Sequence, residues 1–468
     1  MDTKNLIINN EYIEGEMGVI EILSPWDRQV IGKVASASKD QALKAIMSAN
    51  NAFLKWRETG ISERVEIIKK AIDLLRQDKG LLSRSLHLEI GKFESEAESE
   101  IERSIEYMEL MISAVKHWNG ALYRGDIYEK YPRNKKTGLY SRVPLGLVLA
   151  ISPFNYPINL SITKVIPAIL AGNTVILKSA TQGSYTSYLF YEYLIKAGLP
   201  QGVLNVLSGT SSEIGDLLVS DPLIKLIAFT GSTEVGNHIK KISNDIPLLM
   251  ELGGKDVGIV TPNANMAWAV SEIANGAFSY AGQRCTAQKL ALIDFSIIEN
   301  FSSRIVETVK SMEINPMIDE KSARYVMELY EDAIARGATA LLTPTIEGNR
   351  LSAGIVSDVT PEMRIFKEEQ FGPLLPIIGF KEIRDAVNYA NSSQFGLQGS
   401  IYSQDIDEAF MIADGLEVGT VQINAKTDRS PDNFPFGGTK DSGQFMQGSI
   451  ETLDLMTRGK LVVLNRKV

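Results

Sequence analysis

The chain has 468 residues, 48 of them basic and 57 acidic, for a formal net charge of −9. Hydrophobic residues make up 44% and charged residues 22%, the balance of a folded chain, and the length exceeds what one core fills, so two or three domains are expected. The acidic balance argues against non-specific nucleic-acid binding, the polar opening Met1-Asp2-Thr3-Lys4-Asn5 against a secretory leader, and the lack of an apolar run of about 18 residues against a membrane span.

In chain order, the first predicted helix begins near Ser38. Ser38 and Gln41 form a capping-box pattern, and Leu43, Ile46, Met47, Phe53 and Leu54 fall on one face. Further helices are predicted over Ser62–Gln77 and, strongly charged, from about Phe93 to Trp118. Asn119–Pro144 has no helical period and reads as extended arms or loops. From Gly146 the pattern turns to alternating strands and helices. Strands are predicted at Leu147–Ile151, Thr174–Leu177, Val203–Val206 and Ile224–Phe229, with helices over Ser184–Lys196, after Ser212 and after Gly231. A second α/β stretch is placed from Pro247 to beyond Val421, and Lys460–Leu464 reads as an edge strand. This alternation predicts an α/β fold of doubly wound parallel sheets.

Several strand ends carry residues suited to chemistry. Asn155, in Ser152-Pro153-Phe154-Asn155-Tyr156-Pro157, sits in a loop stiffened by two prolines, where an amide can donate to an oxyanion; the plain alternative is an asparagine serving its own turn. Lys178 ends a strand, where α/β sheets bind ligands, although a solvated lysine is equally consistent with its position. Thr230-Gly231-Ser232 joins a strand to a helix and can present N–H groups to a phosphate, or be an ordinary cap. Glu251, before Gly253-Gly254, suits a mobile general base or a simple ion pair.

Cys285 is the only cysteine, so neither an intrachain disulfide nor a cysteine-built zinc site can form. His87, His117 and His238 are scattered, and no metal is expected. A reducing cytoplasm suits a free thiol. In Gly282-Gln283-Arg284-Cys285, Arg284 is expected to favour the thiolate, against the alternative of a buried thiol acting as core filler.

Seven segments in order, SPFNYP, the lysine after TVIL, FTGSTEVG, ELGGK, GQRC, EEQFGP and FPFGGTKDSG, resemble the aldehyde dehydrogenase superfamily over essentially the whole chain. The resemblance implies Cys285 as nucleophile, Asn155 with the Cys285 N–H as oxyanion donors, and Glu251 as base for the hydrolytic water. It implies an NADP or NAD site built from Lys178, Thr181, Thr230, Gly231, Ser232, Glu369 and Phe371. It further implies a cofactor domain over 1–118 and 143–246, a catalytic domain over 247–444, and oligomerisation arms at 119–142 and 445–468, with a homo-oligomer, dimer or tetramer, as the assembly.

A closer resemblance, carried by ISPFNYPINLS, TQGS, GQRCTA, Phe395-Gly396-Leu397-Gln398 and EVGTVQINAKTDRSPDNFPF, is to the non-phosphorylating glyceraldehyde-3-phosphate dehydrogenases. It implies oxidation of glyceraldehyde 3-phosphate to 3-phosphoglycerate, with the substrate phosphate held by Arg103, Tyr156, Arg284 and Arg429. Asp441-Ser442-Gly443-Gln444-Phe445-Met446 departs from the Gly-rich run common there. Relatives that demand NAD carry a glutamate three residues after the lysine. Thr181 occupies that position and would not repel a 2′-phosphate, so NADP is favoured, with NAD as the alternative. The rival substrates are lactaldehyde, glyceraldehyde or another small unphosphorylated aldehyde such as succinate semialdehyde.

Overall fold

The computed structural model describes residues 2–127, 136–429 and 431–465. The five strands Leu147–Ile151, Thr174–Lys178, Leu204–Leu207, Ile224–Thr230 and Leu248–Glu251 run parallel in the centre of an eight-stranded sheet. Leu6–Ile8 and Glu11–Ile13 extend one edge antiparallel, and Gly443–Gln444 closes the other. Both faces are covered. Leu147 and Leu149 pack toward Ala42, Ala45, Ile46 and Ala49 of helix Lys39–Trp56. Val148 and Ala150 pack toward helices Ile61–Gln77, Glu94–His117, Asn159–Ala171 and Ser184–Lys196. That is why these strands read as unbroken apolar runs. The strand order reverses between Leu147–Ile151 and Ile224–Thr230, and such a switch point opens a crevice beyond the carboxyl ends of the strands.

A second sheet runs in the order Thr339–Leu342, Gly354–Ser357, Leu374–Phe380, Gln288–Asp294, Asp256–Val260, Gln398–Tyr402, Thr420–Ile423. All its pairings are parallel except that of the edge strand Thr339–Leu342. Separately, Ala121–Arg124, Lys136–Pro144 and Thr457–Asn465 form a three-stranded antiparallel sheet that leaves Leu122, Leu139 and Leu461 to Leu464 exposed. No described helix is long and apolar enough to cross a membrane.

The doubly wound α/β class is borne out, and so is the Ser38–Gln41 capping box. Three expectations need correction. The boundary at 247 falls too early: Leu248–Glu251 pairs in parallel with Ile227–Thr230 and belongs to the first sheet, and the second sheet starts only at Asp256. The tail from 445 is not all arm, because helix Ser449–Leu455 buries Leu453 and, just beyond it, Met456 goes into the first core. On helix Lys39–Trp56, Leu43, Met47 and Leu54 are exposed; the buried stripe is the alanine face, whose small side chains let the helix approach the sheet closely. Helix Asn159–Ala171, not among the predicted elements, is buried at all of its 13 residues, so it has no polar face. Part of the expected arm at 119–142, residues 128–135, lies outside the described residues.

Candidate active site

A cavity of about 1000 Å³ opens at the switch point. Its floor comes from loops at the ends of first-sheet strands: Ile151 to Asn155, Lys178 and Ala180, Ser211 and Ser212, Thr230 to Ser232, and Leu252 with Gly253. The second sheet closes it with Cys285, Tyr325, Glu369 and Phe371. Ser232 caps helix Thr233–Ile242, accepting the Val235 N–H at 3.3 Å, so the positive end of that helix faces the cavity wall. Lys178 is buried, and its Nζ meets only the Ser179 carbonyl at 3.5 Å among the described contacts. Burial pulls its pKa down to about 8. Thr181, expected in this site, is exposed and absent from the wall; Ala180 lines it instead.

The loop before Cys285 is sharply bent. Tyr280, Ala281 and Gly282 have φ of 51°, 51° and 67°. A side chain on Gly282 would come within 2.5 Å of the Gly372 carbonyl, so this position requires glycine. Tyr280 Oη donates to the Ile90 carbonyl at 2.7 Å, and the Gln283 amide bridges Ile318 N–H (2.8 Å) and the Pro316 carbonyl (3.2 Å). Asn155 Nδ2 donates to the Gln283 carbonyl at 2.9 Å. That bond ties the candidate oxyanion donor to the Cys285 loop and leaves its second N–H for a ligand.

Cys285 is partly exposed. Desolvation by the surrounding protein pushes its thiol up to about 11; Glu251, Asp256 and Glu369 add to the rise and Lys289 opposes it. The expectation that Arg284 favours the thiolate is therefore corrected. The Arg284 guanidinium turns away to the Gly276 carbonyl, 2.5 Å from Nη2, and the opposing cation is Lys289. Asp256, fully buried, is raised to about 7 by its desolvation.

Behind the sulfur the charged groups interlock. Glu251 accepts from Thr230 Oγ1 at 3.0 Å and from Arg429 Nη1 at 2.8 Å, with Lys164 Nζ 3.9 Å away. Arg429 also reaches Gln447 Oε1 at 2.8 Å and approaches Asp432 at 3.7 Å. Arg103 grips Asp432 with both Nε (2.7 Å) and Nη2 (2.9 Å). Tyr156 is half-buried over Lys92, whose Nζ lies 3.3 Å from the ring centroid; Arg284 acts on its phenol electrostatically. Arg284 Nε is buried without a partner among the described residues. The fold thus joins Arg103 to Arg429 through Asp432 and sets Tyr156 under the influence of Arg284. The two linked arginines face carboxylates of the chain itself, Arg429 the expected base.

Glu369 Oε1 accepts the Gly254 N–H at 3.0 Å and pairs with Lys289 at 3.1 Å. Phe371 meets Phe154 edge-on at 6.1 Å between centroids. Sequence reasoning missed Lys289, Lys164 and Tyr325, whose hydroxyl reaches Glu368 at 3.0 Å. A signal existed for Lys289: a lysine opening the apolar run Leu290 to Ile293 must be buried, and so must have a partner.

A sequence model of the aldehyde dehydrogenase family matches residues 12–462. The NADP-dependent glyceraldehyde-3-phosphate dehydrogenase of Streptococcus equinus is 38% identical, over 97% of this chain and 98% of that protein. An NADP-dependent succinate-semialdehyde dehydrogenase of Escherichia coli is 31% identical over 95% of this chain and 94% of its own. Among solved structures, the NADP-dependent glyceraldehyde-3-phosphate dehydrogenase from Bacillus halodurans C-125, complexed with NADP, superposes with a TM-score of 0.97 at 40% identity, covering 99% of each chain.

Proposed function

The chain belongs to the aldehyde dehydrogenase family, and from that premise we propose that it oxidises glyceraldehyde 3-phosphate to 3-phosphoglycerate with NADP. The observation that carries the substrate is the group Arg103, Tyr156, Arg284 and Arg429, with two guanidiniums joined through Asp432 and a third holding a buried Nε without a partner among the described residues. The similarity to glyceraldehyde-3-phosphate dehydrogenases at 38–40% identity supports it.

The cavity fits the cofactor. Lys178 is a buried ammonium with no carboxylate partner among the described residues, and it lines the same cavity as Ser211, Ser212 and the capped helix start at Ser232. Lys178, Thr230, Gly231 and Ser232 would hold its phosphate-bearing half, and Glu369 and Phe371 its nicotinamide half. When bound, NADP supplies the acceptor for the aldehyde hydrogen as hydride, leaving the acyl group on sulfur.

The chain's own residues do the rest. The Cys285 thiolate adds to the aldehyde carbon, forming a C–S bond. The resulting oxyanion is met by the free N–H of Asn155 and the Cys285 backbone N–H. Glu251 then takes a proton from water while the water oxygen bonds to the thioester carbon; the C–S bond breaks and the thiolate returns. For that step Glu251 must leave Arg429. A phosphate drawing on Arg429 would release it.

Steady-state kinetics with glyceraldehyde 3-phosphate, glyceraldehyde, lactaldehyde and succinate semialdehyde, each with NADP and NAD, test the reading. The expected kcat/KM for the phosphorylated aldehyde exceeds that for glyceraldehyde by about 100-fold or more, the worth of two charge-assisted hydrogen bonds. Preference for an unphosphorylated aldehyde overturns it. The exposed apolar strands Lys136–Pro144 and Thr457–Asn465 support a homo-oligomer, which light scattering on the purified chain would measure.

A further inference from the structure

Cys285 lies where three loops meet, and one buried ammonium connects all three. Lys289, on strand Gln288–Asp294, is 1% exposed. Its Nζ lies 2.6 Å from the Cys285 carbonyl oxygen and 3.1 Å from Glu369 Oε1. The same Oε1 accepts the N–H of Gly254, three residues after Glu251. A second buried lysine braces the Glu369 loop from the far side: Lys255 Nζ donates to the carbonyls of Ile365 (2.6 Å) and Glu368 (2.7 Å) and to Gln370 Oε1 (2.6 Å). Gln370 Nε2 closes the frame on the Lys289 carbonyl at 2.9 Å.

An ammonium buried this deeply needs compensation for lost hydration. Glu369 alone would supply it. Lys289 instead divides its donors between that carboxylate and the backbone of the nucleophile, so the ion pair couples two functional loops rather than filling a core. We propose that Lys289 is a positioning residue for the reaction: it holds the Cys285 backbone in register with Glu369, and its charge offsets that carboxylate at the sulfur. The inference rests on Cys285 being the nucleophile, as proposed above.

The charged groups acting on the sulfur are Lys289 and Lys164 on one side, and Glu251 (itself paired with Arg429), Asp256 and Glu369 on the other. Neutralising Lys289 leaves Glu369 unopposed and favours the thiol. Neutralising Glu369 leaves Lys289 unopposed and favours the thiolate. The two changes therefore have opposite signs, which a loss of packing would not produce.

Cys285 is the chain's only cysteine, so alkylation of the full chain by iodoacetamide, a neutral reagent, reports its ionisation alone when rates are followed from about pH 7 to 10. K289M is expected to slow alkylation about tenfold at a given pH, and E369Q to speed it by a similar factor, each a shift of about one pH unit. The double variant K289M/E369Q should return toward the parent rate, and K289R should keep both the parent rate and kcat. Equal-sign effects of K289M and E369Q, or no effect, overturn the proposal. If K289M does not fold, the faster alkylation of E369Q still decides. Failure of the nucleophile assignment would show separately, as aldehyde oxidation surviving in C285S.

Discussion

Two charged groups, one on the cavity wall and one joined through Asp432 and Glu251, are built in opposite ways. On the cavity wall, Lys178 is buried with no carboxylate partner among the described residues, and the capped helix start at Ser232 lines the same cavity. In the charged group of the proposed phosphate site and beside it, Arg103 is held by Asp432, Arg429 by Glu251 and Lys92 by Glu100. An anion arriving at the first meets an unmatched charge. An anion arriving at the second must displace a carboxylate that is already there. On the proposed function, the first would select by presence of charge and the second by exchange, which favours a dianionic phosphate over a neutral hydroxyl.

The largest expected effect breaks the exchange at its pivot. E251Q removes the proposed base, and kcat should fall about 1000-fold. A first turnover of NADPH should persist, because acylation of Cys285 does not need Glu251. Rapid-mixing absorbance checks this; loss of the burst as well would place Glu251 in the earlier step.

R429M sharpens the contrast from the substrate side. The KM for glyceraldehyde 3-phosphate is expected to rise about 10- to 100-fold, the worth of one or two charge-assisted hydrogen bonds, while the KM for glyceraldehyde stays in place. Equal changes for both aldehydes would mean that Arg429 serves Glu251 alone.

The smallest expected effect lies at the cofactor end. K178M should raise the KM for NADP about tenfold and that for NAD less. In the parent enzyme, the KM for NADP should climb as pH passes about 8, where the burial-depressed ammonium of Lys178 loses its proton. The sign for stability is the reverse. The folded pKa of about 8 lies below the ordinary lysine value of 10.5, so the buried charge destabilises the ligand-free fold below pH 8. That penalty is relieved between about pH 8 and 10.5, which denaturant titration at several pH values would measure.

Much of this site was legible before folding. Asn155, Lys178, Ser232, Glu251 and Cys285 each stand in or just after a strand end or tight loop, and those positions show in the alternation of apolar runs and glycines. Thr181 was implied as a site residue by its place in the resembled pattern, three residues after Lys178, but the chain bends there and the residue is exposed and absent from the wall. Arg284 read as the activating cation because it adjoins Cys285. Adjacent side chains in a bent loop diverge, and the cation that reaches the Cys285 backbone is four residues on, at Lys289.

The sequence by itself determined the α/β alternation, the helix cap at Ser38, the single thiol and the strand-end residues, because periodicity and turn chemistry are written over ten or so neighbouring positions. Only the tertiary structure decided that Leu248–Glu251 completes the first sheet, that Arg103 and Asp432, 329 residues apart, are one ion pair, and that Arg429 closes on Glu251. Those pairings depend on which loops the strand order brings to the same crevice, and no local pattern carries that information.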